Sequence, residues 1–255
     1  YMTGQISPYY LKGVQNNVYC HFLNVSGSAA LAGECVAGAH ARGRYELVMG
    51  GEALRYYRDR AADIGKKALP LMEIYREDRS AALRAFLLAD ARNAGPRRRV
   101  LASPPLFTLR EETLRSLLSA RDLPAAGQQR VLDYAAAQRE RMETIFAHSS
   151  VTDAFPVLTR EEFAAYPPAL PISELFFPQD IRYSYEEYCA HLEQTYDCAR
   201  ARRDYTARSC DTVFRNISVT VRDGQWAMVS KGNSPAIHFV IRYPKLRDAI
   251  ENVLL

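Results

Sequence analysis

Apolar and polar residues alternate along Ile217-Ser218-Val219-Thr220-Val221 with the period of two that marks a half-buried strand, and Asp223-Gly224 supplies the positive φ angles of a tight hairpin. The return strand is Trp226-Ala227-Met228-Val229. Gly232-Asn233-Ser234-Pro235 breaks it, and Ile237-His238-Phe239-Val240-Ile241 is apolar enough for a sheet interior. Pro244 suits a first helical turn, and Leu246, Ala249, Ile250, Val253 and Leu254 share one face of a closing helix. The stretch from Phe214 to Leu255 therefore reads as a three-stranded antiparallel meander sealed by a C-terminal helix.

Earlier in the chain the pattern changes period several times. Tyr1 to Gln15 is a Tyr-, Gly- and Pro-punctuated lead-in. Asn17 to Val25 reads as a strand turned by Ser26-Gly27-Ser28, and a second, weaker strand spans Ala32 to Ala37, with Gly33 as a possible bulge. Glu46 to Asp63 reads as helical, with Gly50-Gly51 moving the start to Glu52. A helical region from Leu69 to Ala91 has Pro70 in its first turn and Ile74, Leu83, Phe86 and Leu87 as its apolar stripe. Arg97 to Ala102 is a short strand. Thr108 with Glu111 predicts a capping box opening the helix Leu109 to Ala120, giving a helix-strand-loop-helix order of α/β type.

Gln128 to His148 predicts one long amphipathic helix burying Val131, Leu132, Ala135, Met142, Ile145 and Phe146. Thr159 with Glu162, and Ser184 with Glu187, repeat the capping-box signal; the second helix runs through Arg203, and Tyr205 to Asp211 leads into the meander. The class is α/β in the mixed sense: a sheet with flanking helices, from some six strands and seven helices. It reads as a single region spanning 1–255, divisible into two subdomains, one α/β (1–125) and one mainly helical (126–213), with 214–255 closing the sheet.

Composition narrows the function classes. The chain has 255 residues, 48% hydrophobic and 24% charged, enough for a sizeable core. Lys+Arg at 33 against Asp+Glu at 29 leaves a net charge of +4, too mild for a nucleic-acid-binding surface. Cys20, Cys35, Cys189, Cys198 and Cys210 are odd in number and contain no Cys-x-x-Cys, so reduced thiols in the cytoplasm are expected. A metal reading would recruit Cys20, His21, Cys35 and His40; no metal and no cofactor are expected. No apolar run approaches a membrane span. The start at Tyr1 rather than Met is expected of a fragment or a trimmed chain.

Catalytic signatures are missing. Gly27 and Gly33, or Gly38 and Gly43, match neither phosphate-binding fingerprint and read as turns. There is no Gly-x-Ser-x-Gly elbow, and Pro104 after Ser103 removes an oxyanion-hole N–H. Glu187 and His191, four apart, read as a surface pair. Basic residues suggest anion binding: Arg97, Arg98 and Arg99; Lys66 and Lys67; Lys231 and Arg242. Tyr183, Tyr185, Tyr188, Phe176 and Phe177 crowd a Pro-rich loop that either roofs a pocket or packs the core. The candidate ligand-binding residues are Arg99, Ser103, Tyr183, Lys231, His238 and Arg242.

Three stretches carry a resemblance: Gly65 to Arg76, Tyr183 to Glu193, and Trp226 to Asn252. Together they resemble the effector region of Firmicutes transcriptional regulators with an Xre-like helix-turn-helix. The closing strands are also reminiscent of sensor domains related to the phospholipase D fold, whose catalytic His and Lys stand two apart; His238 is followed by Phe239, Val240 and Ile241 instead. The resemblance implies a cytoplasmic, non-enzymatic, homodimeric effector-sensing region. Its partners would be an anionic small molecule and, through an N-terminal helix-turn-helix missing from this chain, DNA. Two alternatives remain open. One is a phosphate-ester enzyme with a cryptic site around Lys231, His238 and Arg99; the other is a ligand-free interaction module using the Leu246 and Ile250 stripe.

Overall fold

The computed structural model describes residues 6–13, 18–211 and 215–253. Asn17, Phe214 and Leu254, which the sequence pattern drew into elements, lie outside them, as does part of the lead-in. The chain divides into two units, Tyr1–Leu71 and Met72–Leu255.

The first unit contains β1 (Tyr9–Tyr10), β2 (Tyr19–Val25), β3 (Ala29–Val36), β4 (Arg44–Met49), α1 (Gly51–Lys67) and β5 (Leu69–Pro70). Strands β2, β3 and β4 form an antiparallel meander, and β1 pairs with β5. The expected helix from Glu46 is corrected at its start. Arg44 to Met49 alternates Tyr45, Leu47 and Met49 against Val48, and that period of two pairs the segment with β3. Gly50 and Gly51, at φ 74° and 71°, then turn the chain into α1. Gly33 marks no bulge, because the ladder continues through Phe22, Gly33 and Tyr45. A Cβ there would stand 2.3 Å from the Tyr45 ring, so glycine makes room for that ring. Ala30, Val48 and Leu54 form a small core under α1.

The second unit runs β6 (Glu73–Tyr75), α2 (Ser80–Ala91), β7 (Arg97–Val100), α3 (Glu111–Ser119), α4 (Ala125–Phe146), β8 (Val151–Phe155), α5 (Arg160–Ala165), α6 (Tyr185–Ala201), β9 (Tyr205–Ser209), β10 (Ile217–Arg222), β11 (Trp226–Lys231), β12 (Ile237–Ile241) and α7 (Pro244–Val253). Its seven strands lie in the order β6-β12-β11-β10-β7-β8-β9. Pairing is antiparallel from β6 to β7 and parallel from β7 to β9. The single helix expected from Leu69 to Ala91 does not form: Ile74 sits in a strand opposite Phe239, and helix begins only at Ser80. Ladder bonds to β12 override the local helical pattern.

All six residues expected on the buried side of α4 are buried. With α3, α6 and Phe155 of β8, Val131, Leu132 and Ala135 join the largest core cluster. The other end of α4 packs Met142, Ile145 and Phe146 with Val151 and Tyr205. On α7, Leu246 and Ile250 are only half-buried, and Ala249 and Val253 are exposed, so the apolar face is partly uncovered. Polar contacts hold this helix: Arg247 donates to the Gly224 carbonyl at 2.8 Å, and the Gly224 N–H donates to Glu251 at 3.0 Å.

Both capping boxes expected at Thr159 and Ser184 are present. The one at Thr108 is not. Its hydroxyl donates to the Pro105 carbonyl at 2.8 Å within a buried group, and the N-cap of α3 is Arg110. Ser184→Ala is expected to cost about 1 kcal/mol in urea denaturation, from loss of the bond to the Glu187 N–H. An unchanged midpoint would show that the cap contributes nothing.

Candidate functional site

Strands β7, β8 and β9 are the parallel part of the sheet, and in α/β sheets ligands bind in a crevice outside the carboxyl ends of parallel strands. Here the chain leaving β7, β8 and β9 lines a cleft of about 640 Å³. Ala102, Pro156, Val157, Cys210 and Asp211 line it from the ends of these strands, and Tyr166, Pro167, Pro168 and Ala169 from the segment after α5. Short bonds fix the strand ends: Leu101 N–H to the Ala154 carbonyl at 2.8 Å, and Cys210 N–H to the Phe155 carbonyl at 3.0 Å.

Apart from Glu162 of α5, the cleft's charge comes from loops. Arg182 is held by donation to the Pro167 carbonyl at 2.7 Å and lies 3.7 Å from Asp180. The Arg215 guanidinium lies over the Tyr166 ring at 4.6 Å. Asn216, whose carbonyl accepts from Gly232 N–H at 2.7 Å, and Asn233 add side-chain amides. Glu162 and Asp211 are the lining carboxylates. Glu162 lies below the usual carboxylate range, mainly through the Thr159 backbone N–H, then the Thr159 hydroxyl, with Arg215 adding to it. Burial raises the Cys210 thiol, which keeps it protonated and a weak nucleophile. The described lining contains no histidine and no lysine. Two guanidinium forks and two amides are suited to hold a phosphate or carboxylate.

None of the six candidate residues lines this cleft. Ser103 adjoins it, donating to the carbonyl of the lining residue Ala169 at 3.2 Å. Arg99 is locked to buried Asp153 by two bonds of 2.6 Å. Tyr183 donates to His191 Nδ1 at 2.8 Å, deep in the core. Lys231 donates to the Pro235 carbonyl at 3.2 Å. His238 is fully buried, with Nδ1 2.8 Å from Ser230 Oγ and its ring edge-on to Phe176; burial is the chief cause that lowers its pKa. Arg242 pairs with Glu73 over the Phe86 ring. The register puts Arg99 and His238 on one sheet face and Lys231 on the other.

Three consecutive arginines find three different carboxylates: Arg97 with Asp90, Arg98 with Asp223 and Arg99 with Asp153. The expected surface pair of Glu187 and His191 is corrected as well. Glu187 takes Arg121, while His191 is buried among Tyr183, Thr108 and the Pro105 carbonyl. Tyr183, Tyr188, Phe176 and Phe177 are core residues. Among the described residues, one group has metal-ligand geometry: Cys20, Cys35 and His40 of the first unit.

No family model, curated protein or solved structure matches the chain. What the cleft holds must follow from its own chemistry. No helix among the described residues is long and apolar enough to cross a membrane.

Proposed function

We propose that the second unit binds a small anionic metabolite, phosphorylated or carboxylated, in the cleft beyond β7, β8 and β9. The observation that carries this is the placement of Arg182 and Arg215 with Asn216 and Asn233 around one cavity beyond the carboxyl ends of the parallel strands. Binding rather than turnover is the proposed activity, supported by the protonated Cys210 and the lack of lining histidine and lysine. The resemblance of Gly65 to Arg76, Tyr183 to Glu193 and Trp226 to Asn252 to regulator effector regions supplies the context. In that reading the chain is the effector-sensing and dimerising region of a bacterial one-component transcriptional regulator. It works in the cytoplasm as a homodimer and reaches DNA through a helix-turn-helix.

The mechanism is a population shift. Arg215 and Asn216 lead into β10 while Asn233 lies between β11 and β12, so an anion held by all three ties two loops of the meander together. It shifts a dimer equilibrium by no more than its differential affinity for the two arrangements.

Calorimetric titration with sugar phosphates, nucleoside phosphates and dicarboxylates tests the reading. Arg215→Ala is expected to weaken the tightest binder by roughly tenfold to a hundredfold, the loss of a hydrogen bond to a charged group. Failure of every anion to bind, or equal binding by the Arg182→Ala/Arg215→Ala double variant, would reject it.

A further inference from the structure

We propose that Cys20, Cys35 and His40 form a binding site for a divalent cation of the zinc class, with the fourth coordination position open. The antiparallel register sets Cys20 directly opposite Cys35, so both thiols project from the same sheet face at neighbouring positions. Beyond Val36 the chain turns at Gly38, at φ 78°, and passes through the helical turn His40–Arg42 before entering β4. That turn carries His40 back over Cys35, with Nδ1 3.1 Å from Sγ. All three ligand atoms lie within 4.8 Å of one another.

Tetrahedral zinc with bonds of about 2.3 Å to sulfur and about 2.0 Å to nitrogen needs S···S near about 3.7 Å and S···N near about 3.5 Å. The observed contact of 3.1 Å reaches that value by an opening of about 0.4 Å, within the reach of a half-exposed side chain and a surface turn. Two thiolates and an imidazole are the ligand chemistry that zinc prefers, and the thiolates cancel its charge.

The surroundings are built to hold this arrangement. A Cβ on Gly43 would stand 2.7 Å from the Cys35 Cβ and 2.9 Å from the Glu34 carbonyl oxygen, so the turn closes on the thiol only with glycine there. The Tyr45 hydroxyl donates to the His40 carbonyl at 3.0 Å, fixing the ligand's backbone in the manner of an outer-shell contact. His21 does not join: it pairs with Glu34 on the opposite sheet face and lines the groove under α1. Among the described residues the protein set therefore stops at three, leaving the fourth position to water or an incoming ligand. Both thiols lose their protons to the solvent on binding, so occupancy falls as pH falls.

Cobalt(II) is the test probe, added to the full chain after reduction and removal of metal. One equivalent is expected to give tetrahedral ligand-field bands with thiolate charge transfer, and zinc(II) to bleach them. Cys20→Ser and Cys35→Ser should each remove most of the charge transfer. His40→Ala should weaken binding at least tenfold, and the Cys189→Ser/Cys198→Ser/Cys210→Ser variant should keep the full spectrum. If a serine variant loses its native circular dichroism, His40→Ala decides alone, since that side chain is exposed. The proposal is overturned by a wild-type chain that gives no tetrahedral bands, by bands that His40→Ala leaves unchanged, or by a Cys20–Cys35 disulfide that persists under reductant.

Discussion

Asp90→Ala is expected to destabilise the second unit by roughly 3–5 kcal/mol, the cost of leaving buried charge uncompensated. Asp90, at the end of α2, accepts from Arg97, Arg222 and the Trp226 indole, each at 2.8 Å. The Arg97 side chain is 4% exposed and that of Arg222 15%, so water replaces little of what the carboxylate supplies. Asp90→Asn, which keeps an acceptor for Trp226 but not the charge, should fall between wild type and alanine. Adding Arg97→Met to Asp90→Ala should recover part of the loss, because an apolar side chain needs no counter-charge. Trp226 is the chain's single tryptophan, so its emission during urea unfolding follows this site directly. A loss below about 1 kcal/mol, the scale of an exposed pair, would refute the network's importance.

Acid should find a second weak point at His191. The fully buried imidazole has its pKa lowered to about 3, chiefly by burial, against a bond to the Pro105 backbone that pulls it upward. The Pro105 carbonyl can only accept, so Nε2 carries the proton and Nδ1 accepts from Tyr183, an arrangement of the neutral ring. Because the folded pKa lies below the unfolded value of about 6.5, the stabilisation is full above that value and is lost as pH falls toward 3. The whole contribution is on the order of 5 kcal/mol, of which about 2 kcal/mol disappears between pH 7 and pH 5. His238, also lowered by burial, acts in the same direction. His191→Gln keeps a donor for Pro105 and an acceptor for Tyr183 but cannot titrate. Denaturant midpoints for this variant should therefore lose clearly less stability between pH 7 and pH 5 than wild type; parallel profiles would rule out the histidine.

The closing meander was legible because its pattern and its burial agree: Ile237–Ile241 is buried at every position, and Gly224, at φ 69°, turns the hairpin, although the loop between Arg222 and Trp226 has three residues and Asp223 does not take the positive φ expected of it. Strands β8 and β9 were not read. Val151–Phe155 carries Thr152 and Asp153, and Tyr205–Ser209 carries Thr206 and Arg208, so neither looks like the apolar run of a parallel strand. Asp153 is nevertheless fully buried, because Arg99 and the Tyr205 hydroxyl both reach it from neighbouring strands. Such partners are visible only once the sheet is assembled. The same holds for Thr108, whose spacing from Glu111 matches a capping box, while Pro105, His191 and Thr195 occupy its hydroxyl.

The cleft was less legible than the fold. Arg182, Arg215, Asn216 and Asn233 come from loops with no periodicity, and sheet topology alone brings them together. The ligand set Cys20, Cys35 and His40 could be drawn from the sequence, with His21 beside it, but nothing there placed the three together. Its ligands meet through strand register and one surface turn, not through a short spacing.

The pairing of β6 with β12 joins the first strand of the second unit to its last, with Tyr75 and His238 meeting across 163 residues. A ribosome adding residues at the usual rate needs on the order of ten to thirty seconds to cover that interval. Throughout it, β6 is out of the tunnel without its neighbour β12, and the sheet cannot be completed. Folding of this unit therefore waits until Ile237–Ile241 has been made, and chains released before Ile237 would keep an unpaired strand as a target for quality control.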